Sequence, residues 1–466
     1  MDRLRFRRLV VATALIVSVC LLGQRSVARA EGWRAGAAKA AITPKQPMWM
    51  AGYGGRTKPS EGAIHDLWAK VLILEDGEGR KAALVTLDLC GIGRDLSLKI
   101  RDRLKTEVGI DRDRAVLACS HTHSGPVVGD NLIGMYPLDD TQRQLVSKYA
   151  DFLADAIVET AAKAHRQLAP ATLGWGTGRA DFAVNRRTNQ EPRVPVLREQ
   201  LALQGPVDHD VPVLQVQGSD HKPLAVVCGY ACHCTVLSGY EFCGDYAGFA
   251  QLAIEKNNPG AQAMFVAGCG GDQNPLPRRT VELAKNYGDQ LGEAVQRVLG
   301  TPLQSITTPL KADYTEIDLE FGTLPTRAQL DKDAQSTTLA IANRAKSLIK
   351  TLETKGSLPT SYPYPVQVWR LGDLNWVFLG GEVVVDYSLR IKRNLGSSHT
   401  WVSAYSNDVC AYIPSLRVLR EGGYEGATSM VYYGRPTVWS EKVEEQIIDA
   451  VRRAAIAVDA IRKPKD

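Results

Sequence analysis

The chain has no internal repeat and no low-complexity linker, so nothing in it signals a repeat array or a separately tethered module. Beyond the first two dozen residues no apolar run reaches the length of a membrane-spanning helix. An excess of charge of one sign is missing as well. The formal charge is +5, but the first thirty residues hold six Arg and one Asp, which leaves fifty basic and fifty acidic residues in the rest. That balance excludes a global basic field for nucleic acid. Histidine is scarce, with eight in 466 residues. What is present is ordinary globular composition, 44% hydrophobic and 23% charged, with length enough for a large core.

The N-terminus accounts for the surplus charge. Arg3, Arg5, Arg7 and Arg8 precede an apolar run from Leu9 to Leu22, and Ala28-Arg29-Ala30 has a small-x-small pattern. This reads as a secretory signal peptide over residues 1–30, cut after Ala30. An uncleaved anchor is the alternative. The expected location is secreted or periplasmic. Val19 before Cys20 argues against a lipoprotein site. Eight cysteines follow the leader: Cys90, Cys119, Cys228, Cys232, Cys234, Cys243, Cys269 and Cys410. An exported chain is expected to pair some of them, and sequence does not assign the pairs. Cys228, Cys232 and Cys234 read as members of one strand, with Cys232 and Cys234 on a shared face.

Strands and helices interleave throughout. Leu67–Glu75 and Lys81–Cys90 read as paired strands about the turn Asp76-Gly77-Glu78-Gly79. Leu96–Val108 and Thr141–His165 have helical spacing around the short strand Ala115–Cys119. Val213–Val216, Leu224–Cys234 and Ala263–Ala267 read as strands, and Ala247–Glu255 and Val281–Leu299 as helices. Thr337–Thr354 reads as a solvent-facing helix. Val366–Leu379 is a hairpin about Gly372-Asp373, followed by a helix over Asp386–Leu395 and a strand over Thr400–Tyr405. The last helix is amphipathic, with Ser440 as its cap and Val443, Ile447, Val451, Ala455 and Val458 in one stripe. The expected fold class is α/β: mixed β-sheets with interleaved helices in a single large domain.

Four places carry residues suited to chemistry. Cys119-Ser120-His121-Thr122-His123-Ser124-Gly125-Pro126 ends a buried strand. If the chain stays extended, His121 and His123 point to one side, and imidazole is both a common metal ligand and the usual acid/base. Two surface histidines in a turn is the plain alternative. His233 ends another apolar strand, where an isolated His is more often a hydrogen-bonded core residue. Gly268-Cys269-Gly270-Gly271-Asp272 is a Gly loop that permits close backbone approach or is simply a tight turn. Gly380-Gly381-Glu382 ends the hairpin with a carboxylate.

Together these pieces resemble the N-terminal catalytic domain of the neutral/alkaline non-lysosomal ceramidases. The likeness runs through Ala41-Ile42-Thr43-Pro44, Met50 to Gly54, Gly62 to His65, His121 to Pro126 and Asn185-Arg186. It continues with Ala231 to His233, Gly244-Asp245, Gly271-Asp272, Gly381-Glu382, Ser406 to Asp408, Tyr412 and Tyr424 to Ala427. HTHSGP and YEGA in this order are the specific signals. The resemblance implies a Zn²⁺-dependent amide hydrolase whose metal ligands are His121, His233, Glu382 and Tyr412. It implies that His123 and Arg186 contact the scissile amide. Its expected substrate is a lipid or other N-acyl amide, ceramide first, with a membrane surface as a further contact and no nucleic-acid partner. Asp245 and Asp272 are candidates to orient the ligand imidazoles, with turn capping as the alternative for both.

The sequence departs from the family in three places. Asn274 stands before Pro275 where the family has Ser, which closes a Ser-acyl route and leaves water as the nucleophile. Val409 replaces the first Tyr of a paired block. Residues 31–466 are expected to hold the catalytic domain without the family's C-terminal β-sandwich. Two other readings are a cysteine hydrolase with Cys269 as nucleophile near His233, and a non-catalytic metal- or lipid-binding protein on the same scaffold.

Overall fold

A computed structural model describes residues 32–307 and 309–461. The leader and the basic residues Arg462, Lys463 and Lys465 lie outside the described residues. Eight strands form the spine of a large mixed sheet. They are β1 (Trp33–Ala41), β2 (Trp68–Glu75), β3 (Lys81–Leu87), β4 (Ala115–Cys119), β5 (Ala169–Arg179), β6 (Asp210–Gly218), β7 (Pro223–Tyr230) and β8 (Gln262–Ala267). Their order is β8-β7-β6-β5-β1-β2-β3-β4, with the short strand Gln304–Ile306 beside β5. Pairs β3/β4 and β7/β8 are parallel, and the five pairs between them are antiparallel. A second sheet holds β9 (Leu310–Glu320), β10 (Ser361–Leu371), β11 (Leu374–Leu379) and β12 (Thr400–Ser403), in that order.

The two sheets pack face to face. Leu72, Leu74, Leu84, Val116, Leu214 and Val227 of the large sheet meet Trp369, Trp376, Phe378 and Trp401 of the small one. Trp376 and Trp401 stack with centroids 4.0 Å apart and planes 13° from parallel. The opposite faces carry Val71, Ile73, Val85, Val366, Val368 and Val377, which join the helix-packed core. Central strands are therefore buried on both sides. Val71-Leu72-Ile73-Leu74 accordingly reads as a continuous apolar run instead of an alternating one. Helices Asp140–Arg166, Asp245–Asn257 and Val281–Leu299 pack with the large sheet, and Val385–Leu395 and Val443–Ala457 with the small one. The architecture is an α/β fold of mixed sheets with interleaved helices.

Most expected elements are present, with boundary changes that have local causes. The helix expected over Leu96–Val108 is α-helical over Arg94–Arg103 and widens into a π-turn at Leu104–Val108, ending on left-handed Gly109. The strand expected to reach Cys234 stops at Tyr230. His233 N instead bonds Gln273 O at 3.0 Å, so the chain has left the ladder and the shared-face argument for Cys232 and Cys234 does not apply. Ser440 caps the turn that precedes the last helix, not the helix itself: its Oγ accepts the Lys442 N–H at 3.3 Å and its carbonyl the Val443 N–H at 3.1 Å, and the helix starts at Val443 after Lys442. The apolar stripe of that helix is buried throughout. All eight described cysteines are buried and free, so none of the expected pairing is present.

Three strands carry no sequence signal. β1 is alanine-rich because it lies under the helix Asp140–Arg166, and a Cβ on Gly36 would fall 2.1 Å from Ala164 O. β5 is glycine-rich, and β9 is a half-buried edge strand carrying charge.

The segment Ala404–Asn407 ties both end strands of the large sheet to the small sheet. Ala404 N bonds Ala267 O, Cys119 N bonds Tyr405 O, Ser406 N bonds Leu379 O and Asn407 N bonds Leu117 O, all at 2.7–3.1 Å. Asp408 follows, buried, with the Tyr362 hydroxyl on Oδ2 at 2.7 Å and no partner on Oδ1. Burial pushes its carboxyl up to about 7. A carboxyl raised on folding stabilises fully below its ordinary pKa of about 4 and loses that contribution as pH climbs through about 7. Urea titrations across this window should show Asp408→Asn removing a stability decline that the native chain retains. Parallel pH profiles for the two proteins would contradict the assignment.

Candidate metal centre

The centre forms where parallel strands end. His121 and His123 follow β4, His233 follows β7, Gly270 follows β8, and Glu382 follows β11. Short backbone pairs lock these loops together. His123 N bonds Cys234 O at 3.1 Å, and Thr122 bridges Cys234 in parallel. Gly271 N bonds Val383 O at 2.9 Å. Gln273–Pro275 pairs antiparallel with Ala183–Asn185, which delivers Arg186, whose N–H bonds Asp272 O. Glu382 and Tyr412 are register partners in a two-residue parallel ladder, so their side chains leave it together.

His121 is not extended. Its φ is +60°, a left-handed conformation unusual for a residue with a Cβ, so the expected period-two alignment of His121 and His123 does not hold. The strained turn nevertheless brings them together, with Nε2 atoms 3.0 Å apart. His121 Nε2 and His233 Nε2 each lie 3.0 Å from Glu382 Oε2, and Tyr412 OH is 3.1 Å from His233 Nε2. The sequence-predicted set His121, His233, Glu382 and Tyr412 thus meets in one buried place, with His123 beside it.

Backbone carbonyls orient the imidazoles. His121 Nδ1–H donates to Cys90 O and His233 Nδ1–H to Gly270 O, both at 2.6 Å, so both rings turn Nε2 lone pairs inward. Asp245 and Asp272 do not perform this task. Asp245 accepts from the N–H groups of Val236, Leu237 and Tyr246, and Asp272 from Asn185, Gln273 and the Val385 N–H. Both are loop caps, the alternative noted for them. Carbonyl oxygens leave no mark on a side-chain pattern, which is why the orienting groups are not legible in the sequence.

Further residues complete the surroundings. Tyr433 donates its hydroxyl to Glu382 Oε1, which leaves Oε2 as the inward oxygen. Tyr405 stacks on His121 at 4.4 Å. Arg186 donates Nη2 to Tyr412 OH at 3.1 Å, Nη1 to Asn274 Oδ1 at 3.2 Å and Nε to Glu425 at 2.7 Å. Gly52 has φ +94°, and a Cβ there would fall 2.3 Å from His123 Cγ, so the glycine makes room for that ring. Cys269 is fully buried, and burial followed by Asp208 raises its thiol far above the ordinary range, the setting of an inert packing thiol.

Charge decides what the cluster can hold. Burial alone disfavours charge on every imidazole. For His121 the Glu382 carboxylate overcomes it and the ring is held well above its ordinary pKa. His233 is lowered to about 4, by burial and then by Arg186, and His123 falls well below normal by burial and its two histidine neighbours. Glu382 is held well below its ordinary value despite burial, because His121 faces it. Facing lone pairs at 3.0 Å need a proton or a cation between them. His121, His233 and Glu382 are a group able to hold a metal ion, and two imidazoles with a carboxylate and a phenol suit a divalent one.

A model of the neutral/alkaline non-lysosomal ceramidase N-terminal domain matches residues 33–274. The chain belongs to this family. The match holds His121, His123, Arg186 and His233, and Glu382 and Tyr412 lie past it. The neutral ceramidase of Pseudomonas aeruginosa is 25% identical over 508 residues, covering 93% of this chain and 74% of that protein. Neutral ceramidase B of Dictyostelium discoideum is 27% identical over 250 residues, 49% of this chain and 33% of that one. The crystal structure of the Pseudomonas aeruginosa enzyme superposes with a TM-score of 0.72 at 20% identity over 94% of this chain and 76% of that one, which is a likeness of fold. Among the described residues no helix is long and apolar enough to cross a membrane.

Tyr433→Phe removes the donor that fixes Glu382. Loss of such an outer partner costs roughly 10–100-fold in metal affinity. Competition against a chromophoric chelator should show a drop of that size, and unchanged affinity would mean that Glu382 needs no such support.

Proposed function

We propose that this chain is a zinc-dependent amide hydrolase that cleaves the N-acyl bond of a ceramide-like lipid. One observation carries the reading: the Nε2 atoms of His121 and His233 converge on Glu382 Oε2 beside Tyr412, with the Arg186 guanidinium on the same phenol. Family membership and the names of the relatives, all neutral ceramidases, support amide cleavage of ceramide as the first reaction to test. A solved ceramidase described as complexed with C2 has the same fold, with a TM-score of 0.71 at 19% identity. The Arg-rich leader supports action outside the cytoplasmic membrane.

His121, His233, Glu382 and Tyr412 would hold the ion. Zinc bound there would supply a Lewis acid and an activated water near neutral pH. The protein's own groups do the rest. Arg186 stays charged and offers N–H donors to the oxygen that gains charge as the amide carbon becomes tetrahedral. His123 stays neutral, and its Nε2 lies 3.0 Å from His121 Nε2 at the centre, where it can bind or carry a proton for the substrate amide. Asn274 has no nucleophilic hydroxyl and holds Arg186 through its side-chain oxygen.

Metal analysis beside activity tests this directly. His121→Ala and Glu382→Ala should each lose metal and hydrolysis of a fluorescent ceramide together, chelation should silence the native protein, and Cys269→Ala should remain active. A dead Cys269→Ala with chelator-insensitive native activity would make the chain a cysteine hydrolase. Stoichiometric metal with no amide cleaved would make it a binding protein.

Gly52→Ala pushes on His123 without touching a proposed ligand. A displacement of about 1 Å can cost roughly a hundredfold in rate. The variant should therefore keep its metal while kcat falls on that scale. Normal turnover would remove His123 from the reaction.

A further inference from the structure

Two adjacent arginines at the centre share one carboxylate. Glu425 Oε1 accepts Arg186 Nε at 2.7 Å, and Oε2 accepts Arg187 Nη1 at 2.6 Å. Glu425 is 5% exposed, and the two arginines that flank it are partly buried. Arg187 also grips the segment that presents Glu425, through Gly422 O at 3.2 Å and Glu421 at 3.0 Å. Neither guanidinium is spare. Arg187 faces the loop, and Arg186 faces the centre with Nη2 on Tyr412 OH and Nη1 on Asn274.

The donor geometry of a guanidinium is a rigid planar fork. When Nε is fixed by a carboxylate, the plane is fixed, and so is the direction of both terminal nitrogens. With no bond at Nε only the two terminal contacts would resist rotation of the head about its last side-chain torsion. Asn274 supplies only one neutral acceptor at 3.2 Å, and Tyr412 one at 3.1 Å. The charge-assisted bond to Glu425 is shorter and stronger than either. Tyr424, next to Glu425, lies edge-on to Tyr412 at 5.2 Å and with its ring 5.7 Å from Arg186, so the same short turn also carries an aromatic wall of the site.

We propose that Glu425 is a positioning residue: it sets the plane of Arg186 so that Nη1 and Nη2 face the reacting amide, and Arg187 holds Glu425 in place. This rests on the amide-hydrolase reading for its kinetic consequence, and the geometric consequence stands apart from it. Arg187 has a second role in the balance. Without it Glu425 would share its charge with Arg186 alone and would be free to swing with the loop.

The test is a double-mutant cycle with a structural arm. Glu425→Gln should lower kcat by about 10–100-fold with KM little changed, the scale of a misdirected catalytic donor. Arg186→Met should lose as much or more. The pair Arg186→Met/Glu425→Gln should lose no more than Arg186→Met alone. Metal content should stay native in all three. Arg187→Met, which keeps the Glu425–Arg186 bond, should show a smaller, severalfold loss, and Glu425→Asp should recover part of the Glu425→Gln deficit. If Glu425→Gln does not fold, these last two variants decide the matter: native kcat in both overturns the proposal.

Crystals of Glu425→Gln should show the Arg186 head displaced from Tyr412 OH. An Arg186 that keeps its place, or losses that add in the double mutant, overturns the proposal. If the native chain cleaves no amide, the hydrolase reading falls by itself, and the displaced or undisplaced guanidinium still decides the role of Glu425.

Discussion

Two hydrogen bonds to backbone carbonyls govern the centre. Cys90 O and Gly270 O take the Nδ1 protons of His121 and His233, and with those protons committed each ring, when neutral, presents its Nε2 lone pair to the same point. Had either ring met a side-chain donor there instead, Nε2 would carry the proton and the convergence on Glu382 would be a set of ordinary hydrogen bonds. The tautomers are in turn a product of the fold. Gly270 lies past the end of β8, and Cys90 three residues past the end of β3, and both positions are set by parallel strand pairs of the large sheet. Sheet geometry is thus converted into lone-pair direction without an intervening side chain.

Burying three imidazoles, a carboxylate, two phenols and a guanidinium in one place is costly unless every group is paired. The structure meets that demand by sharing. Glu382 divides its oxygens between the histidines and Tyr433, Tyr412 stands between His233 and Arg186, and Arg186 divides its donors among three acceptors. A cluster so connected has little freedom to rearrange, which is the condition for preorganised electrostatics. The exceptions are His123 Nδ1 and the hydroxyl of Tyr405, which stacks on His121; neither finds a protein partner.

Much of this was legible before any coordinates, and the parts that were not have physical reasons. Strands buried on both faces announce themselves as unbroken apolar runs, as in Val71 to Leu74. β1, β5 and β9 do not, because small residues under a helix, glycines, and charges on a half-buried edge all lack the apolar signal. The side chains of the centre were nameable because histidine is rare and the HTHSGP and YEGA blocks are specific. The partners that orient them were not. Two are main-chain oxygens, Tyr433 sits in no marked motif, and Glu425 was visible only as a letter within YEGA with no role attached. The left-handed turn at His121 and the end of β7 at Tyr230 defeated both alignments read from a spacing of two, for His121 with His123 and for Cys232 with Cys234, because period two holds only while the chain remains a strand.

The segment Ala404–Asn407 has a further consequence, for the order of events when the chain is made. It closes both rims of the large sheet, β4 and β8, with residues far downstream of either strand. Until that segment docks, two strand borders have no covering and the candidate metal centre lacks Tyr412, which follows it. Closure of the sheet therefore depends on pairing distant in sequence, the kind of contact whose loop-closure cost slows folding.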